Sequence, residues 1–278
     1  MESHSRTEIV LPLRVGTDTD NQSIAAAIAA AMERDLPPGA AARVAVDGPP
    51  GGLGTGDGAS ITLCISGVEA SAMPLPRLAP RGQSGMEGRL SLLRLRLEDV
   101  RLPEGALDLV EMSFPGAGYW LGADGDRTHL RLVNLPGGTA RVLLSTASLR
   151  RLVSARAPTI ANPEIRLADG GWVEATGGIR LGPFPARARL RGRIVCRTGN
   201  ALCIEDLELS AGSLALPAPL VRSVETAVNP LVDLARDVPL PFDVRITQVT
   251  TEDGNLRLDA RVSPLVADGA KKDWWQLS

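Results

Sequence analysis

The sequence predicts an α+β protein with a large antiparallel sheet and few helices to cover it. Three observations lead there. Short alternating apolar runs recur from about residue 8 to residue 263, and groups of the 29 glycines and 21 prolines separate them, the punctuation of many strands joined by turns. Helical periodicity appears in three places only. The resulting order is helix, many strands, short helix, many strands, helix and a closing hairpin, which is the α+β pattern.

The elements follow from local residue patterns. Ile9, Leu11, Leu13 and Val15 alternate along a first strand, and Pro12 assigns it to a sheet edge because proline cannot donate to a ladder. Asp20 or Ser23 caps a helix to about Arg34 that places Ile24, Ile28 and Met32 on one face. Gly48 to Gly58 reads as a flexible loop, since neither GxGxxG nor GxxxxGK[ST] occurs in it. Strands are expected at 60–69, 89–100 and 106–113, then a glycine-rich loop from Phe114 to Arg127 that carries Tyr119 and Trp120.

Strand signals resume at 128–133 and 139–144. Ser145 or Thr146 caps a short helix with Leu149, Leu152 and Val153 on one face. From Glu164 to Ser210 strand follows strand; in 186–196, Ala188, Leu190, Ile194 and Cys196 share one face and Arg187, Arg189, Arg191 and Arg193 the other. A third helix is expected from Ala218 to about Asp237 with Leu220, Val224, Val228, Leu231 and Ala235 as its stripe, kinked or split by Pro230. Two strands, 242–251 and 255–263, flank the turn Glu252-Asp253-Gly254. Residues 1–265 are read as a single elongated domain and 266–278 as a C-terminal tail.

Composition narrows the function. The chain is 44% hydrophobic but 3% aromatic, so its interior is aliphatic. A net charge of −2 gives no overall attraction to nucleic acid or an anionic membrane, and any basic patch has to be local. No run of about 18 apolar residues is present, and Met1 to Val15 lacks the apolar core of a secretory signal. The expectation is a cytoplasmic or peripheral-membrane protein.

Catalytic chemistry has little to work with. The two histidines, His4 and His129, cannot build a zinc site or a Ser-His-Asp triad alone. The neighbours Glu98-Asp99 and Glu205-Asp206 point to opposite strand faces. No catalytic residue, metal or cofactor is assigned. If Gly199-Asn200 is a two-residue turn, Cys196 lies opposite Cys203 and a cross-strand disulfide is conceivable; the other reading is two small buried side chains. The ladder Arg187, Arg189, Arg191 and Arg193 reads either as a phosphate-headgroup contact or as the solvated side of a strand. Trp274 and Trp275 behind Lys271 and Lys272 read as an interfacial anchor or as a loosely held tail.

The final third carries further wording: Val228-Asn229-Pro230-Leu231, Pro239-Leu240-Pro241-Phe242, an alternating Val244 to Val249, and Asp253-Gly254-Asn255-Leu256 before another strand. With the helix start at Ser145 and the hairpins after it, this resembles the LmeA-like phospholipid-binding family. The resemblance implies a tubular lipid-binding type of fold, in which a highly curved sheet wraps one or two helices and encloses an apolar groove, with a phospholipid or another long apolar molecule as partner. Groove walls are then expected at Ile24, Ile28, Met32, Leu149, Val153, Val224, Val228 and Leu231. Typical members begin with a signal or membrane anchor; none is expected in this numbering, so the resemblance does not carry an envelope location with it. Two alternatives stand beside lipid binding: a cavity enzyme such as a cyclase, hinted at by the Tyr119-Trp120 loop, and a structural or partner-binding protein with a filled core.

Overall fold

The computed structural model describes residues 9–266 apart from 17–18, 57, 73–77, 80–84, 125–126, 159, 182–183, 213, 239 and 241. In chain order the elements are β1 (Ile9–Leu11), α1 (Asn21–Glu33), β2 (Ala41–Asp47), α2 (Gly52–Thr55), β3 (Ser60–Ser66), β4 (Met86–Arg89), β5 (Leu92–Leu102), β6 (Gly105–Pro115), β7 (Gly118–Asp124), β8 (Arg127–Leu135) and β9 (Gly138–Ser145). Then come α3 (Thr146–Arg156), β10 (Ala161–Ala168), β11 (Trp172–Leu181), β12 (Phe184–Arg197), β13 (Ala201–Ala211), β14 (Leu214–Ala215), α4 (Ala218–Val228), β15 (Val232–Asp233), α5 (Leu234–Asp237), β16 (Val244–Glu252), β17 (Asn255–Val262) and β18 (Leu265–Val266).

The α+β class is as expected, but the strands divide into three sheets rather than one. A seven-stranded sheet runs β16-β17-β9-β6-β5-β3-β2, a second runs β10-β11-β12-β13-β14 with β15 on β13, and a third runs β1-β8-β7-β4 with β18 on β8. Among the described strands pairing is antiparallel except between β3 and β5, where Ser60 to Ser66 run parallel to Leu92 to Glu98, and isolated parallel bridges join Glu69 to Arg101 and Leu78 to Leu132.

Alternation with period two builds the core of the large sheet. Leu97 lies opposite Val110, Val110 opposite Val142 and Val142 opposite Leu258, so one aliphatic row crosses four strands. The next row is Leu95, Met112, Ala140 and Ala260. All eight side chains are buried, in one hydrophobic cluster that continues into the other two sheets. Among the aromatics, Phe114 meets Phe242 edge-on, with ring centroids 5.5 Å apart.

Capping side chains start two of the helices. Asp20 accepts from the Ser23 amide at 2.8 Å ahead of α1. The Ser145 hydroxyl accepts from the Ser148 amide at 3.2 Å ahead of α3, and the Asp108 carboxylate in turn accepts from Ser145.

Three stretches differ from the sequence reading. Phe114 to Arg127 holds strand rather than loop: β7 pairs with β8 and β4, and Tyr119 lies opposite Gly88. A side chain built at Gly88 would overlap the Tyr119 ring, so glycine there is what lets the ring lie on the β4 backbone. The Gly48 to Gly58 loop closes into the turn α2, where the Leu53 carbonyl accepts from the buried Tyr119 hydroxyl at 2.7 Å. The third helix is split at Pro230 as expected, but the break is wider than a kink: α4 stops at Val228, and after a cis Asn229–Pro230 peptide the chain forms the short strand β15 before α5 carries it to Asp237. Proline supplies no amide to the i−4 carbonyl, and the Leu231 amide donates instead to the Leu202 carbonyl of β13 at 2.7 Å.

Candidate functional site

The eight expected groove residues all fold into the apolar interior. Ile24, Ile28 and Met32 are buried on α1, which packs against β1 and β2. Leu149 and Val153 are buried on α3, which packs against β6, β9 and β10 and so spans the junction of two sheets. Val224, Val228 and Leu231 are buried where α4 lies against β13 and α3. The α1 stripe and the α4 stripe therefore pack on different sheets. Both belong to the continuous core.

The seam between α4 and the six-stranded sheet behaves differently from the rest. On the sheet side α4 lies against β13, whose buried Leu209 is in one row with Leu190 of β12 and Ala175 of β11, flanked by Ala188 and Ile194. On the helix side, one face presents Val228, Val224 and Leu220 at spacings of four. Their exposure rises from 0% to 8% to 36% toward the helix start. Beyond lies Leu214, 72% exposed; the register Leu214–Ala211–Ala188 assigns it to the inner face of the sheet. The apolar seam thus emerges at the surface between Leu214 and Leu220.

The far end of α4 is fastened. The Asn229 side chain donates from Nδ2 to the Ile204 carbonyl at 2.8 Å, and its Oδ1 accepts from the Ile204 amide at 2.7 Å. Arg156, at the end of α3, donates to the Pro230 carbonyl. It also forms ion pairs with Glu104 at 2.5 Å and Asp237 at 3.8 Å. Burial would push the Asp237 carboxyl up, but hydrogen bonds from Arg236 and the Asp233 amide, together with the charges of Arg236 and Arg156, hold it below the usual carboxylate range. Asn229 and Arg156 carry no sequence signal of this role beyond the Val228-Asn229-Pro230-Leu231 wording.

The arginine ladder stands on the outer face of the six-stranded sheet, away from that seam. Arg189 makes two hydrogen bonds to Glu174 at 2.9 Å, Arg187 reaches Glu164 at 3.4 Å, and Arg191 lies 4.5 Å over the Trp172 ring. Arg193 pairs in register with Trp172 and Glu205. Trp274 and Trp275 lie outside the described residues.

The cysteine register is corrected. The hairpin turn holds three residues, Thr198 to Asn200, so Arg197 pairs with Ala201, Cys196 lies opposite Leu202 and Cys203 opposite Val195. The one-residue shift puts the two thiols on opposite faces, and both are free. Burial pushes both thiols up.

Two surface clefts are polar. One is formed by Thr146, Ala147, Arg150, Glu164 and Ile165. The other, between β12 and β16, includes Arg193, Thr247 and Gln248. None of the eight apolar residues lines either. Among the described residues no group of His, Cys, Asp and Glu could hold a metal ion. Tyr119 and Trp120, the hint of a cavity enzyme, are core residues of β7, with the tyrosine hydroxyl bound to a carbonyl and Arg131 lying 4.9 Å over the indole. No described helix is long and apolar enough to cross a membrane.

A family model of LmeA-like phospholipid-binding proteins matches residues 22–261 of the 278. No curated protein and no solved structure matches the chain. The matched span includes all eight apolar candidates, the α4 seam and the Asn229 anchor.

Proposed function

This chain belongs to the LmeA-like phospholipid-binding family, and from that premise we propose that it carries a phospholipid with an acyl chain laid between α4 and the inner face of the six-stranded sheet. The observation that carries the reading is the Val228–Val224–Leu220 face, which runs from the core to the surface without interruption. Of the apolar stripes on the three longer helices, this one leads outward.

Room for the chain comes from α4 itself. Val224 and Val228 are its buried residues, most of its other side chains are exposed, and no side chain caps its start at Pro217. Lifting two valines from the seam costs about 3–6 kcal/mol, whereas an acyl tail gains about 0.8 kcal/mol per methylene taken from water. A tail of about sixteen carbons therefore outweighs α4 in the seam. Asn229, held to Ile204, supplies the pivot. A tail that comes from a bilayer is already out of water, so loading from a membrane leaves the cost of lifting the valines, about 3–6 kcal/mol, to be met by new contacts with the lipid, and the tail is held weakly. That suits transfer, or presentation of lipid to envelope lipid metabolism, better than permanent storage.

Organic extraction of the purified full chain followed by mass spectrometry tests this. The expected result is phospholipid at about one molecule per chain, displaced by added phospholipid of another acyl length. Extracts empty of lipid at good protein yield, with no uptake of added phospholipid, would reject it.

A further inference from the structure

The turn that leads into α4 has properties that the carriage of a lipid does not itself require. Leu214 and Leu220 stand exposed, and Pro217 and Pro219 are exposed between them. From Leu209 to Val224 the chain holds no carboxylate and one cation, Arg222, which is exposed and makes no ion pair among the described residues. A stable protein interface buries roughly 800 Å² per partner, whereas this strip offers two exposed large apolar side chains, Leu214 and Leu220.

The backbone of the strip is also unusually poor in free donors. Leu216 donates to the Leu209 carbonyl at 2.9 Å, Leu220 to the Pro217 carbonyl at 2.9 Å and Val221 to the same carbonyl at 3.2 Å. Leu214 and Ala215 are paired with Ala211 and Ser210. Pro217 and Pro219 have no amide hydrogen to offer. Leaving water costs most where backbone groups lose their partners, and here most donors have already found theirs within the chain.

We infer that this strip, Leu214 to Arg222, is a membrane-docking tip that seats in the headgroup layer of a bilayer containing anionic phospholipid. Leu214 and Leu220 enter below the phosphates, and Arg222 stays level with them. Arg187, at the same end of the sheet by the register Ala188–Ala211–Leu214, adds a second cation. Its Glu164 partner stands 3.4 Å away and both side chains are largely exposed, so a lipid phosphate can replace the carboxylate. The tip opens onto the seam assigned above to the acyl chain, yet docking stands apart from carriage.

The test is flotation of the full chain with vesicles of phosphatidylcholine and phosphatidylglycerol at 7:3, compared with phosphatidylcholine alone. Wild type floats with the mixed vesicles and several-fold less with the neutral ones. Leu214→Asp/Leu220→Asp lowers the bound fraction at least tenfold with an unchanged melting curve, and Arg222→Glu lowers it about threefold. Leu214→Trp adds an emission component that shifts to the blue when mixed vesicles are added. Flotation of the double variant at the wild-type level, or no blue shift from Leu214→Trp, overturns the inference. Wild type that floats while its extracts are empty of lipid leaves docking standing and rejects carriage alone.

Discussion

Asn229 takes the place of a strand along one edge of β13: its side-chain amide satisfies both the N–H and the C=O of Ile204, at 2.7 and 2.8 Å. On the same edge, β15 pairs at Ala201 and Leu202 and β14 at Ser210 and Ala211, so the asparagine fills the interval between two short strands. Asn229→Ala removes both partners from a partly buried peptide unit and is expected to lower stability by about 2–4 kcal/mol. Urea unfolding measures it. A loss under about 0.5 kcal/mol would show that water replaces the side chain at no cost.

Asp237 makes the junction of α3, α5 and the Asn229 turn sensitive to acid. Its folded carboxyl lies below the unfolded value of about 3.9, because the Arg236 and Asp233 hydrogen bonds and the neighbouring arginine charges outweigh the effect of burial. A lowered pKa contributes stability that is complete above the unfolded value and disappears as pH falls through the folded one. Melting temperatures of wild type and Asp237→Asn are therefore expected to differ most near pH 6 and to converge as pH falls through the folded carboxyl's lowered value. A constant difference across that range would contradict the assignment.

Tyr119 holds α2 against β7 through the Leu53 carbonyl. Tyr119→Phe is expected to cost about 1–2 kcal/mol, the loss of one buried hydrogen bond that leaves a carbonyl short of its donor. The amount of lipid carried by the variant should match wild type. A stable variant that carries less lipid would move the residue from the core to the binding site.

The three longer helices should not exchange their amide hydrogens alike. With two buried side chains and no side-chain cap, α4 is expected to exchange faster than α3, which is capped by Ser145 and buried along Leu149, Leu152 and Val153. Added phospholipid should slow exchange in 218–228 and leave 146–156 little changed. Equal protection of both helices without lipid would remove the ground for treating α4 as the moving part.

Period-two alternation made most strands legible: Leu93, Leu95 and Leu97 on β5, and the split of arginine from aliphatic residues on β12, read directly from spacing. Asp20 and Ser145 were legible as caps because their roles are local. The β7 strand was hidden by Gly116, Gly118 and Gly122, which look like loop residues; Gly118 and Gly122 pair in the strand, and a side chain at Gly122 would overlap the Trp120 ring. The cysteine register failed on a single residue, since a Thr198-Gly199-Asn200 turn and a Gly199-Asn200 turn look alike in sequence yet reverse every face beyond them. Apolar spacing identified Val224 and Val228 but does not distinguish a wall from a core, and the outward course of the stripe through Leu220 to Leu214 depends on which neighbours end where. The bond from Asn229 to Ile204 joins residues 25 apart, beyond the reach of any local rule.

The placement of the acyl chain is tested most directly by a phospholipid that carries a photoactivatable diazirine at mid-chain, loaded into the wild-type protein and irradiated, with adducts mapped by peptide mass spectrometry. Adducts on α4 and on the inner-face residues Ala188, Leu190, Ile194 and Leu209 are the expected result. Adducts confined to α1, β1 and β2, or a loaded protein with none on α4 or β12, would contradict it.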